Sequence, residues 1–309
     1  MIIAKIITAI VIISLLIIGL MTIVTLGTNA LPMNYVLYNN ISGEQKKYNI
    51  PVNNSLAVQP FDYKTYNKST ATICVDLIRR IEERDTTVPY TYGMQKDTEF
   101  CNKLNNNIFC CVWDSPSTIW VSIRGTENLK EWKNNFKIEQ LDYANATKEF
   151  DTIPAFMNKY RTIMIHKGFL SLFNELNNDI VSAISKLTPD KTKTICLSGH
   201  SLGAAISMIL GMELYTLNYT NTCVYAFGCP RVGNIEFATK YTETNLPVFR
   251  FENTEDEFVN MPLAVSPNFK NAKKPYFYRH VGNPYRFTEN LKSGSYNHSL
   301  YTYLKNLPA

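Results

Sequence analysis

A serine set between two glycines, Gly199-His200-Ser201-Leu202-Gly203, is the strongest chemical signal in the chain. A β-rich run near Thr194 to Leu197 precedes it, and a helical pattern from Leu202 to about Leu217 follows. A serine on such a strand-to-helix turn projects its hydroxyl out of the fold. The glycines permit the sharp turn and let the departing helix pass close to neighbouring backbone. The chemistry this allows is nucleophilic attack by Oγ. An unassisted hydroxyl is a weak nucleophile near neutrality, so the site requires a histidine base and a carboxylate to orient its imidazole.

The chain has four histidines. His200 lies inside the turn and is expected to face away from its neighbour's chemistry, and His166 precedes a long helical pattern. For a serine on this kind of turn the acid and then the histidine follow in sequence, which leaves His280 and His298 as candidate bases. Glu252, Glu255, Asp256 and Glu257 follow the strand-like run Val248 to Phe251 and are the candidate acids. Residue types and order stop at that short list. One donor for the oxyanion of a tetrahedral intermediate is the backbone N–H of Leu202, directly after the nucleophile.

Alternating elements must carry these residues. Ile108 to Trp113 and Thr118 to Arg124 read as neighbouring strands around the turn Asp114-Ser115-Pro116. Phe169, Phe173, Leu176, Ile180, Ile184 and Leu187 recur at helical spacing up to Pro189. After the serine turn come a strand at Thr222 to Phe227, a helix from Ile235 and a strand at Val248 to Phe251. Strand, helix, strand in succession implies right-handed crossovers, so the fold class is α/β with a mainly parallel central sheet and helices on both faces.

Composition narrows the functional classes. The 309 residues are 45% hydrophobic, enough for a large core, which excludes wholesale disorder. The formal charge is +5 with no basic run, so no nucleic-acid footprint is present. No His-Glu-x-x-His or paired-cysteine spacing occurs, and the sequence calls for no metal or other cofactor.

Ile6 to Leu26 carries no charge, and as a helix it would span about 31 Å, the thickness of a bilayer core. Residues 1–30 therefore read as a signal anchor or a signal peptide, residues 31–60 as a linker, and residues 61–309 as one folded domain. Lys5 is the only basic flank before Lys46, which places the amino terminus in the cytosol and the domain in the lumen or outside the cell, secreted if the segment is cleaved. In such a compartment one short-loop bridge from Cys101 to Cys110 or Cys111 is expected, with Cys196 and Cys223 as buried thiols.

Five segments occur in a telling order: Ser122-Ile123-Arg124-Gly125-Thr126, His166-Lys167-Gly168-Phe169, Gly199 to Gly203, Phe227-Gly228-Cys229-Pro230-Arg231-Val232-Gly233-Asn234, and Asn253-Thr254-Glu255-Asp256. On these, the chain resembles the fungal-type triacylglycerol lipases, the class 3 lipase family of the α/β-hydrolase superfamily, over roughly residues 70 to 309. The resemblance implies Asp256 as the acid, three residues after Asn253, and His298 in Asn297-His298-Ser299-Leu300-Tyr301 as the base, with His280 structural. The family's Asp-x-Val-Pro is replaced here by Asp256-Glu257-Phe258-Val259-Asn260, with Pro262 retained, so Glu255 and Glu257 stand as competing carboxylates.

The resemblance also implies Thr126 as the second oxyanion donor, at a position that equally suits a helix N-cap ahead of Glu127. It places a lid after Thr126, where Leu129, Trp132 and Phe136 form one apolar stripe at helical spacing. Arg124 and Arg231 read as structural anchors. The implied activity is hydrolysis of carboxylic esters of lipids by a Ser-Asp-His triad, on a substrate at a membrane or lipid interface, with no nucleic acid and no obligate protein partner. A phospholipase A1 or a small-ester carboxylesterase is the alternative, and an inactive hydrolase-fold binding protein a remote one.

Overall fold

The computed structural model describes residues 61–84, 86, 92–101, 107–126, 138–269, 271 and 273–309. The anchor and linker expectations for residues 1–30 and 31–60 lie outside the described residues, as do Leu129, Trp132 and Phe136. In chain order the elements are α1 (Lys68–Glu82), β1 (Gln95–Cys101), β2 (Ile108–Asp114), β3 (Thr118–Ile123), β4 (Gln140–Leu141), α2 (Tyr143–Glu149), α3 (Ala155–Lys159) and β5 (Ile165–His166). Next come α4 (Lys167–Leu187), β6 (Thr194–His200), α5 (Leu202–Thr216), β7 (Thr222–Phe227), α6 (Ile235–Glu243) and β8 (Val248–Asn253). The last are β9 (Val265–Ser266), β10 (Tyr276–Phe277), β11 (Pro284–Phe287), α7 (Gly294–Asn297) and α8 (Leu300–Lys305).

Seven strands form the main sheet in the order β1-β2-β3-β6-β7-β8-β11. The first two pairings are antiparallel and the remaining four parallel, the mainly parallel α/β sheet expected from the alternating pattern. Side chains alternate across a strand, and each face of this sheet has its own core. Ile119, Val121 and Ile123 enter one core with α4 and α5, while Trp120 enters the other, which α1 and α8 cover. The same division puts Val224 and Ala226 on the first side and Cys223, Tyr225 and Phe227 on the second.

The helix α4 forms because its apolar residues fall on one stripe: Phe169, Phe173, Leu176, Ile180 and Ile184 are all buried. His166 caps it by accepting from the Phe169 N–H. The helix α5 is apolar all round and correspondingly central, buried from Leu202 to Leu214.

The expected bridge from Cys101 is absent, and all seven cysteines are free thiols. Strand pairing explains this: Cys101 lies opposite Ile108 and is exposed, whereas Cys110 and Cys111 point into the two opposite cores. Cys196 and Cys223 are buried, as their apolar surroundings predict. Among the described residues no helix is long and apolar enough to cross a membrane.

Candidate active site

The turn after β6 places Ser201 at φ +54° and ψ −121°, a conformation that side-chain-bearing residues rarely adopt and that costs about 1–3 kcal/mol. The surroundings impose it. The Ser201 N–H donates to the Phe227 carbonyl at the end of β7, and its own carbonyl accepts from Ala204 and Ala205 in the first turn of α5. A Cβ on Gly199 would stand 2.3 Å from the Gly203 backbone, and one on Gly203 would stand 2.2 Å from the Ile123 carbonyl oxygen. Both glycines are required by close approach, as the motif predicts.

His298 closes α7, and its Nδ1 lies 2.6 Å from Asp256 Oδ2. Both side chains are buried. Asp256 Oδ2 also accepts from the Tyr303 hydroxyl at 2.5 Å, and Oδ1 accepts from the Phe258 N–H at 2.9 Å. These bonds fix the carboxylate plane, and the carboxylate in turn places the proton of a neutral imidazole on Nδ1. His298 Nε2 is left as the acceptor, buried and without a protein hydrogen bond among the described residues. The imidazole is held between the rings of Phe258 and His200, with centroids 4.5 and 4.8 Å away.

The end of β7 brings the serine and this histidine together. Phe227 binds the Ser201 amide, and a Cβ on the next residue, Gly228, would lie 3.0 Å from His298 Cε1, at a φ of +59° that glycine adopts freely. Among the described residues no hydrogen bond joins Ser201 Oγ to His298 Nε2.

Thr126 follows β3 and is buried. A Cβ on its neighbour Gly125 would lie 3.4 Å from Ser201 Cβ, so this strand end abuts the serine. The Leu202 N–H opens α5 and belongs to the first turn, whose amides have no acceptor within the helix.

The competing residues are occupied elsewhere. Glu252 is paired with Arg250 and with Arg286, Glu255 accepts from the Asn290 amide, and Glu257 is exposed. His280 Nε2 donates to the Val259 carbonyl at 2.9 Å, bracing the loop after Asp256; burial, then the nearby Arg250 and Arg231, press its pKa down to about 3. Arg124 bonds the carbonyls of Ile108 and Gly125, and Arg231 those of Asn260 and Pro262, so both anchor backbone.

His200 does not face away. Its Nε2 donates at 2.7 Å to the backbone carbonyl of His298, and its Nδ1 lies 3.5 Å from Glu82 Oε1 at the end of α1. Strand alternation accounts for this: His200 shares its face of β6 with Cys196 and Ser198, the face that α1 and α8 cover. Three further residues escape sequence reasoning. Asn253 donates to the carbonyls of Glu289 and Asn297 and accepts from the amides of Glu255 and Glu289. Asn297 accepts from the Leu291 amide and donates to the Glu255 carbonyl. Together with Tyr303 they tie the acid-bearing loop to the histidine-bearing loop. The signal for Asn253 and Asn297 is that each stands in a segment quoted for the resemblance, within three residues of a candidate catalytic group.

Residues 120–266 match the family model described as lipase (class 3). The Rhizomucor miehei lipase is 26% identical over 193 residues, covering 60% of this chain and 46% of the relative. A chloroplastic phospholipase A1 of Arabidopsis thaliana is 26% identical over 175 residues, covering 49% of this chain and 34% of the relative. The chain thus spans less than half the length of either relative. Among solved structures, a Rhizomucor miehei lipase propeptide complex superposes with a TM-score of 0.56 at 21% identity, over 72% of this chain and 66% of that one, a likeness of fold.

Proposed function

From the premise that the chain belongs to the class 3 lipase family of the α/β-hydrolase superfamily, we propose that residues 61–309 form a serine hydrolase domain cleaving carboxylic esters of lipids. The carrying observation is the strained Ser201 beside a buried Asp256–His298 pair whose Nε2 is unengaged.

In this reading Ser201 Oγ attacks the ester carbonyl carbon while His298 Nε2 takes its proton, and Asp256 stabilises the imidazolium that forms. The carbonyl oxygen becomes an oxyanion bound by the amides of Leu202 and Thr126. Loss of one such donor typically costs about 10²–10³ in rate. The tetrahedral adduct collapses, His298 protonates the departing alcohol, and an acyl group remains on Ser201. Water then attacks that ester with His298 again as base, releasing the fatty acid. No cofactor enters any step.

Triacylglycerol-type esters are the leading substrate, and the phospholipase A1 relative supports phospholipid as the second. Hydrolysis of triacylglycerol, phospholipid and short nitrophenyl esters by the purified chain, compared side by side, tests this. Cleavage of the long-chain lipids is expected, and turnover of the short ester alone would overturn it. The uncharged stretch Ile6 to Leu26 supports a place at or beyond a membrane, for which retention after alkaline carbonate extraction is the check.

A further inference from the structure

Asp256 is followed by a 3-10 turn, Glu257–Asn260, whose Phe258 packs on His298. The chain then runs through Met261 and Pro262 into the antiparallel ribbon β9–β10. Val265 pairs with Phe277 and Ser266 with Tyr276, so Val265 and Phe277 share one face. That face is uncovered: Val265 is 57% exposed and Phe277 48%, Leu263 two residues upstream is 54% exposed, and Phe269 in the connecting loop is 79% exposed. These four include the three most exposed large hydrophobic residues described. Lys273, Lys274 and Arg279 are exposed on the same short segment, and residues 258–288 contain no Asp or Glu.

The ribbon is braced by the segment around β4 and by Arg231. The Tyr278 hydroxyl donates to the Ile138 carbonyl at 3.0 Å, the Gln140 amide donates to the Phe277 carbonyl at 2.8 Å, and Arg231 binds the Pro262 carbonyl at 2.9 Å. A two-residue ribbon showing its apolar face to water gains little from that face in the free protein. Exposed aromatic and aliphatic side chains that share a carboxylate-free segment with exposed lysine and arginine match a surface apolar inside and negative at its headgroups. Val265 is nine residues beyond Asp256, so a lipid surface seated on the ribbon is linked by this short segment to the proposed catalytic acid.

We propose that the β9–β10 ribbon is a docking element for an anionic lipid surface, with Phe269, Phe277, Val265 and Leu263 entering the acyl region and Lys273, Lys274 and Arg279 meeting the headgroups. Its orienting role rests on the lipid hydrolase reading above, while its binding does not.

The test uses the full chain carrying Ser201→Ala, so that no lipid is consumed, with Phe269→Trp as the reporter and the Ser201→Ala parent as the fluorescence blank. Vesicles of tail-brominated phosphatidylcholine are compared with the same vesicles containing phosphatidylserine. The expected result is a blue-shifted, quenched signal from the introduced indole that needs phosphatidylserine, weakens with added salt and falls several-fold in Lys273→Ser/Lys274→Ser. Equal quenching by both vesicle types, or none, would overturn the proposal. So would a blue shift without vesicles: growing with protein concentration it would assign the face to a second copy, and independent of concentration to the chain's own amino-terminal segment. Because hydrolysis is not read, failure here is distinct from failure of the hydrolase reading, which the substrate comparison decides.

Discussion

The Tyr303 hydroxyl donates at 2.5 Å to Asp256 Oδ2, the same oxygen that faces His298 Nδ1. Burial, followed by the charge of Asp256, pushes the phenol pKa far up, so Tyr303 remains a proton donor wherever the protein is folded. It anchors the carboxylate from below and sits on α8, whose burial against the sheet fixes its position.

Tyr303→Phe should therefore cost about 1–3 kcal/mol of stability, the worth of a hydrogen bond to a buried charged group, and lower kcat on a soluble nitrophenyl ester about tenfold. Denaturant midpoints and initial rates measure both. Wild-type values for each would show that Asp256 is held by Phe258 and His298 alone.

His200 binds the backbone carbonyl of His298, and in the proposed mechanism it is a positioning residue. We expect His200→Ala to lower kcat about tenfold with KM for a short soluble ester within about twofold, and His200→Gln, which retains a side-chain donor, to recover part of the loss. An effect on KM alone would assign His200 to substrate binding instead.

Close approach distinguishes the glycines. Gly203→Ala drives a Cβ against the Ile123 backbone and should destabilise by about 3 kcal/mol or more, whereas Gly294→Ala meets nothing within 4 Å and should stay within about 0.5 kcal/mol of wild type. Thermal unfolding of the two variants separates these outcomes, and equal midpoints would mean that α5 can shift away from β3.

Burial lowers the pKa of His166 from 6.5 to about 3. The unfolded chain takes up this proton first as pH falls, so the contribution of neutral His166 is complete above pH 6.5 and is lost progressively towards pH 3. Urea midpoints of wild type should fall more steeply over that range than those of His166→Asn, which keeps a helix-capping side chain but cannot titrate. Parallel pH curves would contradict the assignment.

Much of this was legible in the sequence because it is local. The nucleophile turn needs only a strand, two glycines and a helix in succession, and periodicity located α4, α5 and the strands around them. What was not legible is distance-dependent. Gln95–Cys101 and Pro284–Phe287 lack the continuous apolar runs of interior strands because they are edge strands, with exposed and half-buried positions. The bonds of Asn253 to Glu289 and Asn297, and of Tyr303 to Asp256, join residues 36 to 47 positions apart, for which residue type gives no signal. The expected Cys101 bridge failed for the same reason: spacing suggested proximity, while the alternation of β2 turned the two later thiols into opposite cores.

The central claim is that Ser201 is activated by His298 and Asp256. It is tested most directly by mass spectrometry of the chain after exposure to a fluorophosphonate, which phosphonylates an activated serine and leaves ordinary ones alone. The account predicts one adduct, on the peptide containing Ser201, absent in Ser201→Ala and strongly slowed in His298→Ala and Asp256→Asn. An unlabelled wild-type chain, or labelling of Ser201 that proceeds at the wild-type rate in His298→Ala, would contradict it.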